Sequence, residues 1–118
     1  MNYDTNNIFA KILRGEIPCK KIDENDYALA FYDIQPRKKI HALIIPKGNH
    51  ISFADFTANA SNEEQLGFWN LVKKVANDFG IDQTGYRLIA NHGEHGHQEV
   101  PHFHIHLLGG EPTGPLTN

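Results

Sequence analysis

The chain has 118 residues, the length of one domain and enough for a single core, so one domain over residues 1–118 is predicted. Its formal net charge of −3 argues against a dedicated nucleic-acid surface, although a few local contacts can still hold a mononucleotide. The single cysteine, Cys19, cannot form an internal disulfide, and no apolar run has the length of a signal peptide or membrane span, which predicts a cytoplasmic protein without membrane contact.

The first half of the chain is predicted to form a short helix and two strands. Residues 8–13 place apolar side chains at the spacing of an amphipathic helix, which Gly15 and Pro18 end. Residues 27–33 are predicted to form a strand with three side chains on one face: Tyr27, Leu29 and Phe31. Residues 41–46 form a short continuous apolar run, which is typical of a central strand buried on both faces.

The clearest helix is predicted over residues 62–79. Ser61 and Glu64 have the spacing of a capping box, and Gly80 is a typical residue to follow a helix. Six residues at helical spacing are predicted to form its apolar stripe: Leu66, Trp69, Val72, Val75, Ala76 and Phe79. Such a stripe is compatible with packing against a sheet or against a second copy of the chain.

The second half of the chain continues with strands. A strand is predicted over residues 86–90, followed by a polar loop over 91–98, a strand over 102–108 and a surface tail from Gly109. Because the strands are mostly adjacent in sequence, they favour an α+β domain with an antiparallel sheet of about five strands, one long helix and one short helix. The strand order is not predicted.

Three histidines alternate with apolar residues in the last of these strands: His102, His104 and His106. Successive side chains of a strand point to opposite faces, so the three imidazoles are predicted to share one face. Phe103 and Ile105 then face a core together with Leu107. Histidine is the side chain whose ordinary pKa, about 6.5, lets it change charge near neutral pH.

Three interpretations of this row remain open from the residues alone. In the first, His104 attacks phosphorus to form a covalent phosphohistidine, and the imidazoles beside it orient groups or donate protons. In the second, a His-x-His pair binds zinc with further ligands, although three positions on one strand span too far for a single ion. The available further histidines are His41, His50, His92, His95 and His97. In the third, the row is simply a solvated sheet face. The strict alternation favours catalysis without deciding it.

Blocks along nearly the whole chain resemble the histidine triad (HIT) family of nucleotide hydrolases and transferases. The alternating histidines in residues 102–108 match the family signature, and five further blocks occur in family order: 8–18, 31–36, 41–47, 85–91 and 98–100. The branch most resembled is that of the Hint-type purine nucleoside phosphoramidases, partly because Gly109, Gly110 and a short tail follow the triad. The resemblance implies the HIT-like fold and a homodimer that shares one continuous sheet.

The resemblance also implies an activity and the residues that perform it. The activity is hydrolysis of the P–N bond of purine nucleoside 5′-phosphoramidates, or hydrolysis of related aminoacyl adenylates, without a cofactor. His104 would be the nucleophile, His106 and His102 the other catalytic members, and His102 and His41 would fix the ring orientations. Asp33 would accept both ribose hydroxyls. The residues expected near the phosphate or leaving group are Asn91, His97, Gln98 and Glu99, and those expected to form the base slot are Ile8, Phe9, Ile12, Phe31 and Ile34.

Several positions depart from the family pattern. Asn7 and Ala10 stand where some relatives have a zinc-binding Cys-x-x-Cys, so no metal is predicted. His97 stands where glycine is common, and Glu99 where serine or threonine is common. Because His106 replaces the glutamine of the transferase branch, hydrolysis is favoured over transfer.

Two questions remain open from the sequence. The proton donor to the leaving group is either Glu99, whose pKa would have to be raised, or a triad histidine. The alternative functions are a dinucleoside polyphosphate hydrolase of the same fold and a non-catalytic nucleotide-binding or scaffold protein.

Overall fold

The structure, a computed structural model, describes residues 2–117, and within them it has a five-stranded antiparallel sheet and three helices. In chain order these are α1 (Ile8–Leu13), β1 (Lys21–Glu24), β2 (Ala28–Tyr32), β3 (Ile40–Pro46), α2 (Phe53–Asn59), α3 (Asn62–Asp78), β4 (Arg87–Ile89) and β5 (Ile105–Gly109). The strands lie in the order β1-β2-β3-β5-β4. The predicted α+β class with an antiparallel sheet is confirmed, with α2 as a third helix that was not predicted. No helix described here is both long and apolar enough to cross a membrane.

The two faces of the sheet pack against different partners. In β2, Ala28 and Ala30 face the helices, whereas Leu29 and Phe31 face the other way. The larger, helix-side core also contains Ala42, Ile44, Phe56, Phe68, Leu71, Val72, Val75, Ala76, Ile81, Phe103, Ile105 and Leu107. The smaller, α1-side core contains Phe9, Leu29, Phe31, Leu43 and Ile45. The prediction that Phe103, Ile105 and Leu107 face a core is therefore confirmed.

Helix α3 begins as predicted but buries a different stripe. Ser61 and Glu64 form both hydrogen bonds of the capping box, and Val72, Val75 and Ala76 are buried. Leu66 and Trp69, predicted to be in the stripe, are 64% and 36% exposed. The residues buried in their place are Phe68 and Leu71. The predicted pair and the buried pair both fit the spacing of a helix face. Which pair is buried depends on the side of α3 that faces the sheet.

Helix α2 and the position of Tyr27 are two further differences between the structure and the prediction. Only Phe56 of α2 is buried, so the segment has no apolar periodicity to detect. The Phe56 ring stacks on that of Phe103 with centroids 4.9 Å apart, and burying such a side chain is worth about 1.5–3 kcal/mol. Tyr27 does not share the face of Leu29 and Phe31 as predicted, because it precedes β2 and its ring lies against Gly67 of α3.

The histidine-bearing strand begins at Ile105 and not at His102. If the pairing of β3 with β5 continued, Pro46 would lie opposite Phe103, and proline has no N–H to donate to the ladder. The Phe103 N–H instead donates to the His50 carbonyl at 2.8 Å. His102 and His104 therefore lie in the irregular segment that leads into β5.

Candidate active site

An open cavity of about 550 Å³ lies on the α1 side of the sheet. Helix α1, the ends of β2, β3 and β5, and the loop after β4 form its wall. The cavity brings together most of the residues predicted for the site: Ile8, Phe9, Ile12, Phe31, Asp33, Ile34, His41, Asn91, His97, Glu99, His104 and His106. Two predicted residues, His102 and Gln98, are outside this lining.

His104 is held in one orientation by the backbone of its own segment. Its Nδ1 lies 2.8 Å from the His102 carbonyl oxygen, which can only accept, so we assign the hydrogen to Nδ1. The lone pair is then on Nε2. Burial lowers the pKa of His104, and the bond to the carbonyl opposes part of this shift. The ring therefore has a neutral, nucleophilic nitrogen near neutral pH.

His106 receives the opposite assignment from its neighbours. The Arg37 N–H donates to His41 Nδ1 at 3.1 Å, so the hydrogen of His41 is on Nε2. That Nε2 lies 2.9 Å from His106 Nδ1 and donates to it, which leaves the hydrogen of His106 on its Nε2. Burial, followed by the neighbouring imidazoles, lowers the pKa of His106 to about 4. His106 is thus a neutral N–H donor.

Asp33, His41 and His106 together have the composition of a metal site, but the hydrogen bonds of His41 do not suit a metal ligand. Ligand atoms of Asp33, His41 and His106 all lie within 4.8 Å of one another. A metal-bound histidine normally donates its other ring N–H, whereas the Nδ1 of His41 accepts one from Arg37. An ion on Nε2 would leave the ring without a hydrogen or break that bond. The network therefore fits a hydrogen-bond relay better than a metal.

Comparison with known proteins identifies the family of the chain. A family model described as HIT domain matches residues 14–113. The chain belongs to the HIT family. A HIT-like protein of Azospirillum brasilense is 50% identical over 114 residues, which cover 97% of this chain and 93% of that protein. The purine nucleoside phosphoramidase of Escherichia coli is 44% identical over 110 residues, covering 92% and 91%.

The fold is shared with solved HIT structures as well. A HIT family hydrolase from Legionella pneumophila superposes with a TM-score of 0.85 at 39% identity, covering 92% of this chain and 96% of that one.

The first histidine of the HIT triad does not reach the cavity. His102 has no exposed surface, its Nε2 lies 2.8 Å from the Pro46 carbonyl oxygen, and its Nδ1 lies 2.5 Å from the Tyr3 hydroxyl. Burial lowers its pKa to about 4. Its expected place among the catalytic groups is corrected to that of a positioning residue, which acts through the carbonyl that binds His104.

Gln98 also differs from its expected role beside the phosphate. Its side-chain amide nitrogen donates to the carbonyls of Ile51 at 2.7 Å and Val100 at 3.0 Å. Its oxygen accepts the Gly93 N–H at 3.1 Å. The side chain therefore ties the loop after β4 to the segment before α2, and it fixes the shape of the rim without facing the cavity.

His97 and Glu99 form a pair on that rim. His97 has a φ of 57°, in the left-handed region that glycine adopts most readily, in line with the glycine that the family pattern expects here. Its Nε2 lies 3.0 Å from Glu99 Oε1, and the two side chains are 86% and 75% exposed. The loop thus presents an acid and an imidazole at the mouth of the cavity.

The other end of the cavity combines a carboxylate with an apolar slot. Asp33 is half-buried; one of its oxygens accepts the Gln35 N–H at 2.8 Å and the other lies 3.4 Å from His41 Nε2. Phe9 and Phe31 meet edge to face with centroids 5.7 Å apart, and Ile34 is 90% exposed at the rim. Lining residues that sequence reasoning missed are Ile17, Pro18, Cys19, Tyr32, Gln35, Arg37, Leu43, Ile89, Val100 and Leu108. Strand alternation could have found Leu43 and Leu108, because they share a face with the site histidines.

Proposed function

We propose that this HIT protein hydrolyses the P–N bond of purine nucleoside 5′-phosphoramidates through a nucleotidyl-His104 intermediate. The observation that carries the proposal is the 2.8 Å contact between His104 Nδ1 and the His102 carbonyl, which leaves a lone pair on Nε2 at the cavity. The 44% identity to a protein named purine nucleoside phosphoramidase supports the substrate class. Aminoacyl adenylates carry the same nucleoside monophosphate on an acyl oxygen, so the same attack on phosphorus would break their P–O bond.

In the first step, His104 Nε2 attacks the phosphorus. The new P–Nε2 bond forms as the bond to the leaving nitrogen breaks, and that nitrogen takes the electron pair and gains a proton. The His104 ring becomes cationic and keeps its Nδ1–H on the His102 carbonyl. The N–H of His106 donates to a phosphoryl oxygen as charge develops there. Glu99, on the exposed rim, passes the proton to the leaving nitrogen, because the neutral His106 keeps its N–H on the phosphoryl oxygen.

In the second step, water attacks phosphorus from the side that the amine has left. The P–Nε2 bond breaks, its electron pair returns to Nε2, and the nucleoside monophosphate is released. The cationic ring of the intermediate leaves as a neutral imidazole. The second displacement therefore leaves no new charge on His104. The attacking water returns a proton to the group that protonated the leaving nitrogen, so the enzyme regains its starting protonation state.

Binding is assigned to the opposite end of the cavity. The Asp33 carboxylate accepts the ribose hydroxyls, since it has two acceptor oxygens and lies at the junction between slot and triad. Asn91 lies against the phosphate. The apolar slot holds the purine and consists of Ile8, Phe9, Ile12, Phe31 and Ile34. The substrate is therefore a small purine nucleotide, with no nucleic-acid or membrane partner.

The test is to trap the intermediate. The protein is mixed with adenosine 5′-phosphoramidate and quenched in alkali, and the intact mass is measured. We expect an increase of one adenylate, release of AMP, and loss of both in His104→Ala. His92→Ala, which changes an exposed histidine of the loop after β4, is the matched control and should behave as wild type.

Three outcomes would contradict the proposal. Wild-type protein that binds AMP without hydrolysing the phosphoramidate would favour a non-catalytic nucleotide-binding protein. Faster cleavage of diadenosine polyphosphates would favour the dinucleoside polyphosphate hydrolase. Full activity of His104→Ala would remove the nucleophile assignment.

A further inference from the structure

We infer that Tyr3 is a positioning residue for the nucleophile, an inference that rests on the proposed function. Tyr3 lies 99 positions before His102 in the chain, yet its hydroxyl oxygen is 2.5 Å from His102 Nδ1. The two rings meet edge to face with centroids 5.6 Å apart. The segment before α1 therefore contacts the first histidine of the triad directly.

The direction of this hydrogen bond follows from the other nitrogen of the ring. His102 Nε2 is 2.8 Å from the Pro46 carbonyl oxygen, which only accepts, so Nε2 carries the hydrogen. Nδ1 therefore has the lone pair, and the Tyr3 hydroxyl donates to it. Both nitrogens of a ring with no exposed surface are then paired, one with the backbone and one with Tyr3.

The position of this ring matters because the same residue supplies the acceptor for His104. The His102 carbonyl oxygen lies 2.8 Å from His104 Nδ1 and directs Nε2 of the nucleophile. A ring clamped at both nitrogens restricts the backbone of His102 and hence the direction of its carbonyl. Tyr3 is outside the lining of the cavity, so it acts on the orientation of His104 and not on the substrate.

The segment that carries Tyr3 is itself anchored. Asn7, the N-cap of α1, is buried, and its side chain both accepts the Ala10 N–H at 2.9 Å and donates to the Asp4 carbonyl at 2.7 Å. The Arg14 guanidinium donates to the Thr5 carbonyl at 2.8 Å. These bonds hold the residues that directly follow Tyr3 and so restrict the place of its phenol relative to α1.

The test removes only the hydroxyl. Tyr3→Phe keeps the ring against His102 but leaves a buried acceptor without a donor, an effect that is typically large enough to change a rate by about tenfold. We expect kcat for adenosine 5′-phosphoramidate to fall by about 5- to 20-fold with KM within about twofold of wild type. Tyr27→Phe, at a tyrosine against α3, is the matched control and should leave both constants unchanged. Replacing Tyr3 by 3-fluorotyrosine keeps the hydroxyl and should restore kcat.

A spectroscopic measurement separates positioning from loss of fold. In histidine-labelled protein, the hydrogen-bonded Nδ1–H of His104 should give a proton resonance that shifts or broadens in Tyr3→Phe and is unchanged in Tyr27→Phe. An unchanged resonance, or an unchanged kcat in Tyr3→Phe, would overturn the inference. A proportional loss of folded protein with unchanged kcat per folded molecule would overturn it too.

Failure of the proposed function is a distinct result. If the wild-type protein does not hydrolyse the phosphoramidate, the activity assignment fails, and the resonance still decides whether Tyr3 orients His104.

Discussion

At the residue scale, His104 and His106 have opposite roles because their Nδ1 atoms meet different partners. The Nδ1 of His104 donates to a carbonyl, so its Nε2 has the lone pair. The Nδ1 of His106 accepts from His41, so its Nε2 carries the hydrogen. One side-chain type thus supplies both the nucleophile and the electrophilic donor of the proposed reaction. The assignment depends on Arg37 and His102, whose backbone groups determine which nitrogen carries the hydrogen.

Burial of the neutral rings predicts that acid destabilises the fold. Burial holds the pKa values of His102 and His106 at about 4, below the ordinary 6.5, so between these values the unfolded chain binds more protons than the folded one. The free energy of unfolding should therefore be constant above pH 6.5 and decrease as the pH falls from 6.5 to 4. Each ring contributes on the order of 1–3 kcal/mol. Urea denaturation at a series of pH values measures this slope.

The matched variants for this experiment are His106→Gln and His92→Gln. The first should flatten the slope, and the second, at an exposed histidine, should leave it unchanged. Stability that rises as the pH falls through this window would contradict the assignment of neutral buried rings.

The charge of Glu99 predicts a preference among leaving groups. Its carboxylate is exposed on the cavity rim, where it repels an anionic leaving amine and attracts a cationic one. Two substrates are compared, one with a carboxylate on its leaving amine and one with an ammonium group. In Glu99→Gln, kcat/KM for the first divided by kcat/KM for the second should rise by about 3- to 5-fold, the size expected for a screened surface charge. Glu94→Gln, in the same loop but outside the cavity lining, should leave the ratio unchanged. An unchanged ratio in Glu99→Gln would place the leaving group away from this rim.

At the scale of the elements, sequence reasoning worked where a signal was local. The capping box at Ser61 and Glu64 locates the start of α3 because both partners lie within one turn. The buried face of α3 was predicted in part: Val72, Val75 and Ala76 are buried, whereas Leu66 is exposed because it lies on an adjacent stripe that also fits a helix. Helix α2 gave no signal because it buries only Phe56.

In the candidate site too, residues with a local sequence signal were predicted and residues without one were not. The strand-borne His106 and its apolar neighbours follow from period-two alternation, and the resemblance adds Asp33. Tyr3 could not be predicted, because its partner lies 99 positions away and no local pattern marks it. The role of Gln98 could not be predicted either, since its partners are backbone groups of two different loops.

The contact between α3 and the turn before β2 predicts that a better helix former will destabilise the protein. A Cβ at Gly67 would lie 2.4 Å from Tyr27 Cδ2 and 3.0 Å from Cγ. Gly67→Ala should therefore lower the free energy of unfolding by about 1–3 kcal/mol, although alanine favours a helix over glycine by about 1 kcal/mol. Thermal or urea denaturation measures the change. Asn70→Ala, at an exposed position of α3, is the control and should be neutral or slightly stabilising, whereas a more stable Gly67→Ala would contradict the contact.

At the scale of the whole molecule, the two edges of the sheet differ. The β1 edge is charged, with Lys21 paired to Glu24 and Asp23 paired to Lys74 of α3. The β4 edge has two apolar or aromatic side chains, Tyr86 and Leu88, each 41% exposed. Charged edges resist pairing with another chain, whereas an apolar edge strand favours it. We therefore propose that two copies of the chain form the expected homodimer by pairing their β4 edges.

Substitution of the exposed edge residue tests this dimer. Sedimentation equilibrium should give twice the chain mass of 13.3 kDa for the wild type and the chain mass for Leu88→Lys. The control is Leu116→Lys, which changes a tail residue that is 90% exposed and should remain dimeric. A monomeric wild type, or a dimer that Leu88→Lys does not weaken, would contradict the proposed edge.

The two acceptors that fix His102 and His104 are main-chain carbonyls, those of Pro46 and of His102 itself. No point mutation can delete a carbonyl, so random substitution seldom removes this part of the site. An insertion or deletion that shifts β3 against β5 would separate the Pro46 carbonyl from His102, and the loss of that contact would disturb the residue whose own carbonyl holds His104. During evolution, β3 and the segment that leads into β5 should therefore accept substitutions of side chains outside the site far more readily than insertions or deletions.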